Sequence, residues 1–391
     1  MATTRRVLAN VATYMVFDDH EITDDWNISA DWVHNTQKPE NFFGRRLLAN
    51  ALAAYWAFQG WGNDPEAGSK PDLGFVVGTH LEALRKGAGK PYAEGGERFD
   101  TPLLRYHSWS YVAPTHPPVL VADERTSREF GDRATLIGQS ELERMKQLGA
   151  KAFKRGEPLV LVLQTPILPW QPGAKMIQGK PMKPEYDRGD FWFDVPDGRA
   201  DFLAWVQRTF APSYCAIMSG DVHHGFVVKG ASWVTEKKIT TTSDLILAVS
   251  SAASEVQLKI VQITSSPIKN EKDELNWSVL RVIKDQFDSK WAKKGIEIGI
   301  DLLSPALSLG SDSISGAEAG NIILSTSAMD QRKLAGGKFL NLIYSALLLD
   351  GASARTVVEK NHFSVVDFRT PNEVGIEYYG QEANAQVKVP V

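Results

Sequence analysis

The sequence predicts a layered α/β protein. Two near-continuous apolar runs, Pro158–Leu168 (PLVLVLQTPIL) and Tyr214–Met218, read as strands covered on both faces. A helical pattern at Arg199–Phe210 lies between them, and strand–helix–strand alternation is the mark of layered α/β packing. The chain has 391 residues, 43% apolar and 23% charged, which is ordinary globular usage and excludes a coiled coil or a disordered polymer.

Taken in order, Val11–Phe17 is β-branched and aromatic and runs into acids, which suits a buried strand ending at its carboxyl edge. Asn41–Gly60 reads as an amphipathic helix stopped by Gly60 and Gly62. The rest of 41–101 is rich in Gly, Pro and charge and is expected to be a helix-and-loop surface excursion. Strands are expected at Leu104–Val112 and Val119–Ala122, and a helix at Ser140–Arg155 opened by a Ser140/Glu143 capping box. Beyond Met218, Leu245–Ala248 and Val256–Ile263 read as strands. Asn276–Leu309 is amphipathic and mixed in charge, so 276–330 is expected to be a helical insertion. The alternating segments TVVEKNHFSVVDF and NEVGIEYYG predict a terminal antiparallel hairpin. No repeat or low-complexity tract is present, so 1–391 is read as one domain carrying these insertions.

Composition narrows the function classes. A net charge of −4 leaves no basic field for nucleic acid. One cysteine, Cys215, excludes an intrachain disulfide and a zinc finger, and mid-strand it reads as an inert buried thiol. The longest apolar stretch, around Leu340–Leu349, is far short of the roughly 20 residues a membrane span needs. The N-terminus lacks a cleavable signal pattern, so the chain as it stands is expected in the cytoplasm, while a longer parent could be periplasmic or secreted.

Two clusters could carry chemistry. In Phe17-Asp18-Asp19-His20-Glu21-Ile22-Thr23-Asp24-Asp25, five acids surround one histidine directly after an apolar run. Crowded carboxylates repel unless cations or hydrogen bonds compensate; a solvated acidic loop is the bland reading and a cation site the functional one. Ser219-Gly220-Asp221-Val222-His223-His224-Gly225 follows a buried strand, and Asp and His at i and i+2 can offer a carboxylate and an imidazole from one turn. Ligands gather beyond the carboxyl ends of strands in open α/β sheets, so the two clusters are expected to share one metal pocket. In Val121-Ala122-Asp123-Glu124-Arg125-Thr126, Arg125 could clamp a phosphate or pair with the acids as a structural salt bridge. The tryptophans at 56 and 61 are expected to pack in a helix core. No Gly-x-Ser-x-Gly elbow occurs, which argues against a serine esterase.

TYMVFDDHEITDDWN resembles the DDHE segment of the alkaline phosphatase D (PhoD-like) family of metallophosphoesterases, and SGDVHHG resembles that family's last metal motif. LVADERTSREF is similar to its Asp-x-Arg-Thr segment, LVLQTPIL to the following strand and VQITSSPIKN to a later one. The resemblance implies a calcineurin-like α/β/β/α sandwich with a metal centre that hydrolyses phosphate monoesters or diesters. It assigns Asp18, Asp19, Asp221 and His223 to metal, His20 to the phosphoryl group, and Arg125 and His224 to substrate. The ions implied are divalent or trivalent: Fe, Ca, Mn or Zn. The seventeen residues before Asp18 contain no Asp, Glu, His or Cys, although the family's first two aspartate motifs precede DDHE. The chain is therefore expected to begin at the third motif, to hold about one ion, and either to act as an impaired phosphoesterase or to bind a metal or partner without turnover. A symmetric partner in a homo-oligomer could lend the missing carboxylates.

Overall fold

A computed structural model describes residues 2–23, 26–63, 74–75, 77–78, 82, 85, 96–107, 109–168, 191–192, 194–222, 224–240, 258–265, 328–347, 349–351, 358, 362–370, 372–380 and 385–391. The chain forms two compact units, Met1–Phe130 with Ile137–Gly149, and Gly131–Leu136 with Ala150–Val391. The expectations at Leu245–Ala248 and over 276–327 lie outside the described residues.

The first unit is mainly helical: α1 Ala2–Leu8, α2 Ala30–Gln37, α3 Phe42–Tyr55, a π-helical turn Trp56–Gly60, the single turn α4 Trp61–Asn63, α5 Gly96–Leu104 and α6 Gln139–Ala152. The side chain of Asn41 caps α3 by accepting from the Gly44 N–H at 2.9 Å. A Cβ on Gly44 would sit 2.7 Å from Asn41 Nδ2, so this capping geometry needs glycine. The inner face of α3 places Leu48, Ala49, Leu52 and Tyr55 in a core with Phe17, Trp26, Leu103 and Trp109. Phe17 lies among three rings, with centroids 4.7 Å from Tyr55, 5.3 Å from Trp26 and 5.8 Å from Trp109. Strands β1 Tyr111–Ala113 and β2 Val119–Val121 pair as a short antiparallel hairpin.

Three expectations are corrected here. Val11–Phe17 is not a strand. Its backbone is held by side chains instead: Met15 O accepts from Tyr55 Oη at 3.1 Å, Tyr111 Oη at 3.0 Å and Asn63 Nδ2 at 2.5 Å. Leu104–Val112 is strand only from Tyr111, because Leu103, Leu104 and Trp109 all turn into the aromatic core, which an alternating strand does not allow. The Ser140/Glu143 capping box does not form: Gln139 N donates to Glu129 Oε1 at 2.8 Å, and Glu143 pairs with Lys146 at 3.2 Å.

The second unit is built on strands. Here β3 Leu159–Val162, β4 Cys215–Ser219, β6 Leu258–Thr264, β5 Phe226–Thr235, β8 Phe339–Ala346 and β7 Ala328–Lys333 lie in that spatial order. The β3, β4 and β6 pairings are parallel and the others antiparallel. Helix α7, Pro196–Phe210, joins β3 to β4, as the alternation predicted. Residues 328–330 of the expected helical insertion open β7 instead. The expected terminal hairpin is present as β10 His362–Asp367 and β11 Glu373–Gly380, and β12 Ala385–Pro390 and β9 Asp350–Gly351 extend it to four strands. Val374, Ile376, Tyr378 and Val389 of this sheet pack on Ala216, Val227, Val261 and Ile263 of the first, so two sheets meet face to face.

Candidate metal centre

Asp18, Asp19 and His20 leave the aromatic core directly after Phe17. The chain reverses there, with Ile22 N and Thr23 N donating to Asp19 O at 2.9 and 2.8 Å. This turn brings one ligand atom from each of the three side chains within 4.8 Å of one another. Asp19 is buried at 2% exposure, while the His20 side chain is 47% exposed and the Asp18 side chain 25%. His20 Nδ1 lies 2.8 Å from Asp19 Oδ1. Two carboxylates and an imidazole within reach of a single point form a donor set that fits a hard or borderline cation.

A guanidinium already sits against this turn. Arg125 is fully buried, with Nε 2.6 Å and Nη2 2.5 Å from Asp18 Oδ1, and Nη2 3.5 Å from Asp19 Oδ1. Of the two readings of Arg125, the geometry displays the ion pair with the acidic run. Its backbone is fixed from both sides: Arg125 N donates to Asp123 Oδ1 at 2.9 Å, and Arg125 O accepts from Asn27 Nδ2 at 2.7 Å. Asn27 takes a left-handed φ of 62°, which Asn tolerates better than most residues.

Beneath Arg125 is a buried polar network that sequence reasoning missed. Asp123 is wholly buried and accepts from Arg125 N, Thr126 N and Thr126 Oγ1. Burial pushes its carboxyl above the usual range, against the pull of those hydrogen bonds. Ser110 Oγ accepts from Asp123 N at 3.0 Å, and Ser110 N donates to Glu141 Oε1 at 2.9 Å. Burial, with the Asp123 charge adding to it, pushes Glu141 up to about 7. Burial lowers the neighbouring His107. The only sequence signal was a run of charge, DERTSR, directly after β2.

In the second unit β4 delivers Asp221 by backbone pairing. Ser265 N donates to Ser219 O at 3.0 Å, Gly220 N to Gln164 O at 3.0 Å and Val222 N to Gly220 O at 2.9 Å. Asp221 itself adopts a left-handed φ of 67° and is partly exposed. His224 stacks on Phe226 with centroids 5.3 Å apart. Gly225 pairs with Val358 through hydrogen bonds of 2.8 and 2.7 Å, and a Cβ there would meet His362 Nε2 at 2.3 Å. His223 lies outside the described residues, as do Asp24 and Asp25. Cys215 is fully buried, and burial pushes its thiol far up, so it offers no nucleophile. Trp61, expected in a helix core, is 57% exposed and stacks on Trp56 with centroids 6.2 Å apart. Among the described residues no helix is long and apolar enough to cross a membrane.

No family model matches the chain. No curated protein matches it either. A solved structure described as the structure of PhoD is similar at 12% identity and a TM-score of 0.37, over 95% of this chain and 51% of that one. The chain thus spans about half the length of the structure it matches.

Proposed function

We propose that the chain is a metal-dependent hydrolase of phosphate monoesters or diesters. The observation that carries this reading is the convergence of Asp18, Asp19 and His20 to within 4.8 Å. The DDHE and GDVHH motifs support it, and the two face-to-face sheets of the second unit are consistent with a calcineurin-like sandwich. A bound Fe, Ca, Mn or Zn ion would act as a Lewis acid on the phosphoryl group and lower the pKa of its water. The chain's own residues set the rest. Asp19, the more buried of the two adjacent aspartates, anchors the ion together with Asp18. His20, exposed and held by Asp19, faces substrate and serves the phosphoryl oxygens or the leaving group. Arg125 holds both carboxylates in place through its ion pairs. Asp221 and His223 are assigned to metal, and His224 with Arg125 to the substrate phosphate, by the motif resemblance.

A second reading is a module that binds a metal or partner without turnover. It is favoured by the Arg125 guanidinium, which already neutralises part of the acidic charge. Turnover of p-nitrophenyl phosphate and bis-p-nitrophenyl phosphate by protein loaded with each metal separates the two. Hydrolysis abolished by Asp19→Asn supports the enzyme. Full metal occupancy without hydrolysis of either ester overturns it in favour of the second reading.

A further inference from the structure

Helix α3 and the turn that continues it are apolar on both faces. A surface helix of a globular protein ordinarily turns charge to water, and a helix apolar all round is ordinarily buried. The only charges of α3 are Arg45 and Arg46, and both are engaged, Arg45 with Gln37 O and Thr101, and Arg46 with Asp100. The face opposite the core carries Phe43, Leu47, Asn50, Ala54, Phe58 and Trp61, one uncharged stripe at helical spacing. Phe43 is 71% exposed, Leu47 50%, Phe58 88% and Trp61 57%, and Phe42 at the stripe's edge is 67%. By contrast α6 presents Glu143 and Lys146 to solvent.

We propose that this stripe is an interface between two copies of the chain, with α3 packing antiparallel against α3 of the second copy about a twofold axis. The order of side chains is self-complementary. Antiparallel pairing sets Phe43 against Trp61, Leu47 against Phe58 and Asn50 against Ala54, so bulky residues meet at both ends and small ones let the helices approach at the centre. A twofold interface demands this kind of pairing, in which each patch meets itself reversed. The exposed area approaches that of a standard interface. At about 200 Å² per aromatic side chain, the exposed parts of the four aromatics reach roughly 550 Å². Leu47 and the small residues bring each copy toward the roughly 800 Å² per partner of a standard interface. The proposal does not depend on the hydrolase reading.

Sedimentation velocity over a concentration series tests it, using the wild-type chain, Phe58→Glu and Asn50→Glu. Position 50 is an exposed polar residue, so Asn50→Glu keeps the fold while placing a carboxylate at the dimer centre. The expected result is a wild-type particle of twice the 43.2 kDa chain mass, with both variants reduced to single chains of unchanged circular dichroism. Three outcomes would overturn the proposal: a wild-type monomer at every concentration, a dimer untouched by both substitutions, or a monomer that binds neutral lipid vesicles through the stripe.

Discussion

The turn carrying Asp18–His20 and the turn carrying Asp221 both follow apolar runs, yet they are positioned by different means. Asp221 follows β4, whose parallel neighbours β3 and β6 fix the backbone on both sides through Ser219 and Gly220. Asp18 follows an irregular segment, and its placement comes from the Phe17 ring in an aromatic core, three side-chain donors on Met15 O and the buried Arg125. A sheet distributes the holding force over many backbone bonds, whereas the first turn depends on a few named side chains. Single substitutions should therefore act strongly on the first turn and weakly on the second.

The largest effect is expected from Phe17→Ala, which empties the aromatic core immediately before the acids and should cost about 3–5 kcal/mol. Urea unfolding followed by tryptophan fluorescence reads it. A cost near that of a surface substitution would mean the turn is held some other way. Arg125→Met comes next. It leaves the buried Asp19 and the partly buried Asp18 without their counter-charge, and breaking such a pair should cost about 3 kcal/mol. Thermal melting should show that loss, with Arg125→Lys restoring part of it.

A pH series sharpens the same contrast through Glu141. Its carboxyl is raised from the ordinary 4.5 to about 7 in the folded state. Below 4.5 both folded and unfolded states hold the proton and stability is unaffected. Between 4.5 and about 7 the unfolded state gives up its proton while the folded state keeps it, so stability falls across that window and levels off once the folded state also ionises. Asp123 is shifted in the same direction by the same burial. Glu141→Gln keeps the acceptor for Ser110 N and removes the charge, so it should be the more stable protein above pH 7, by of order 2 kcal/mol. Parallel melting curves for variant and wild type between pH 5 and pH 8.5 would contradict this. The smallest effect is expected from Tyr111→Phe, which removes one of three donors on Met15 O and should cost about 1 kcal/mol.

The same contrast explains what could be read in advance. The strand β3, the helix α7, the strand β4 and the β10–β11 hairpin are legible because burial on a regular element imposes a period on the sequence. Helix α3 is legible too, since Leu48, Leu52 and Tyr55 repeat at helical spacing. Val11–Phe17 has strand composition without a strand, because its partners Asn63 and Tyr111 lie 48 and 96 residues from Met15. The acids and His20 stand out in the sequence, and the pairing of Arg125 with the acidic run is one of its two open readings, but nothing local selects Asp18, 107 residues away, as the partner. The Asp123–Ser110–Glu141 network is equally silent, and β5 and β8 were missed because their runs lack clear alternation.

The Asp18 and Asp19 carboxylates are proposed to hold a metal ion, with His20 beside it facing substrate. Elemental analysis of purified wild-type protein and of Asp19→Asn, each dialysed against Fe, Ca, Mn or Zn, tests it most directly. The expectation is about one tightly held ion per wild-type chain and its loss in Asp19→Asn with circular dichroism unchanged. Retention of the ion by folded Asp19→Asn, or no retained ion in the wild type with any of the four metals, would contradict the account.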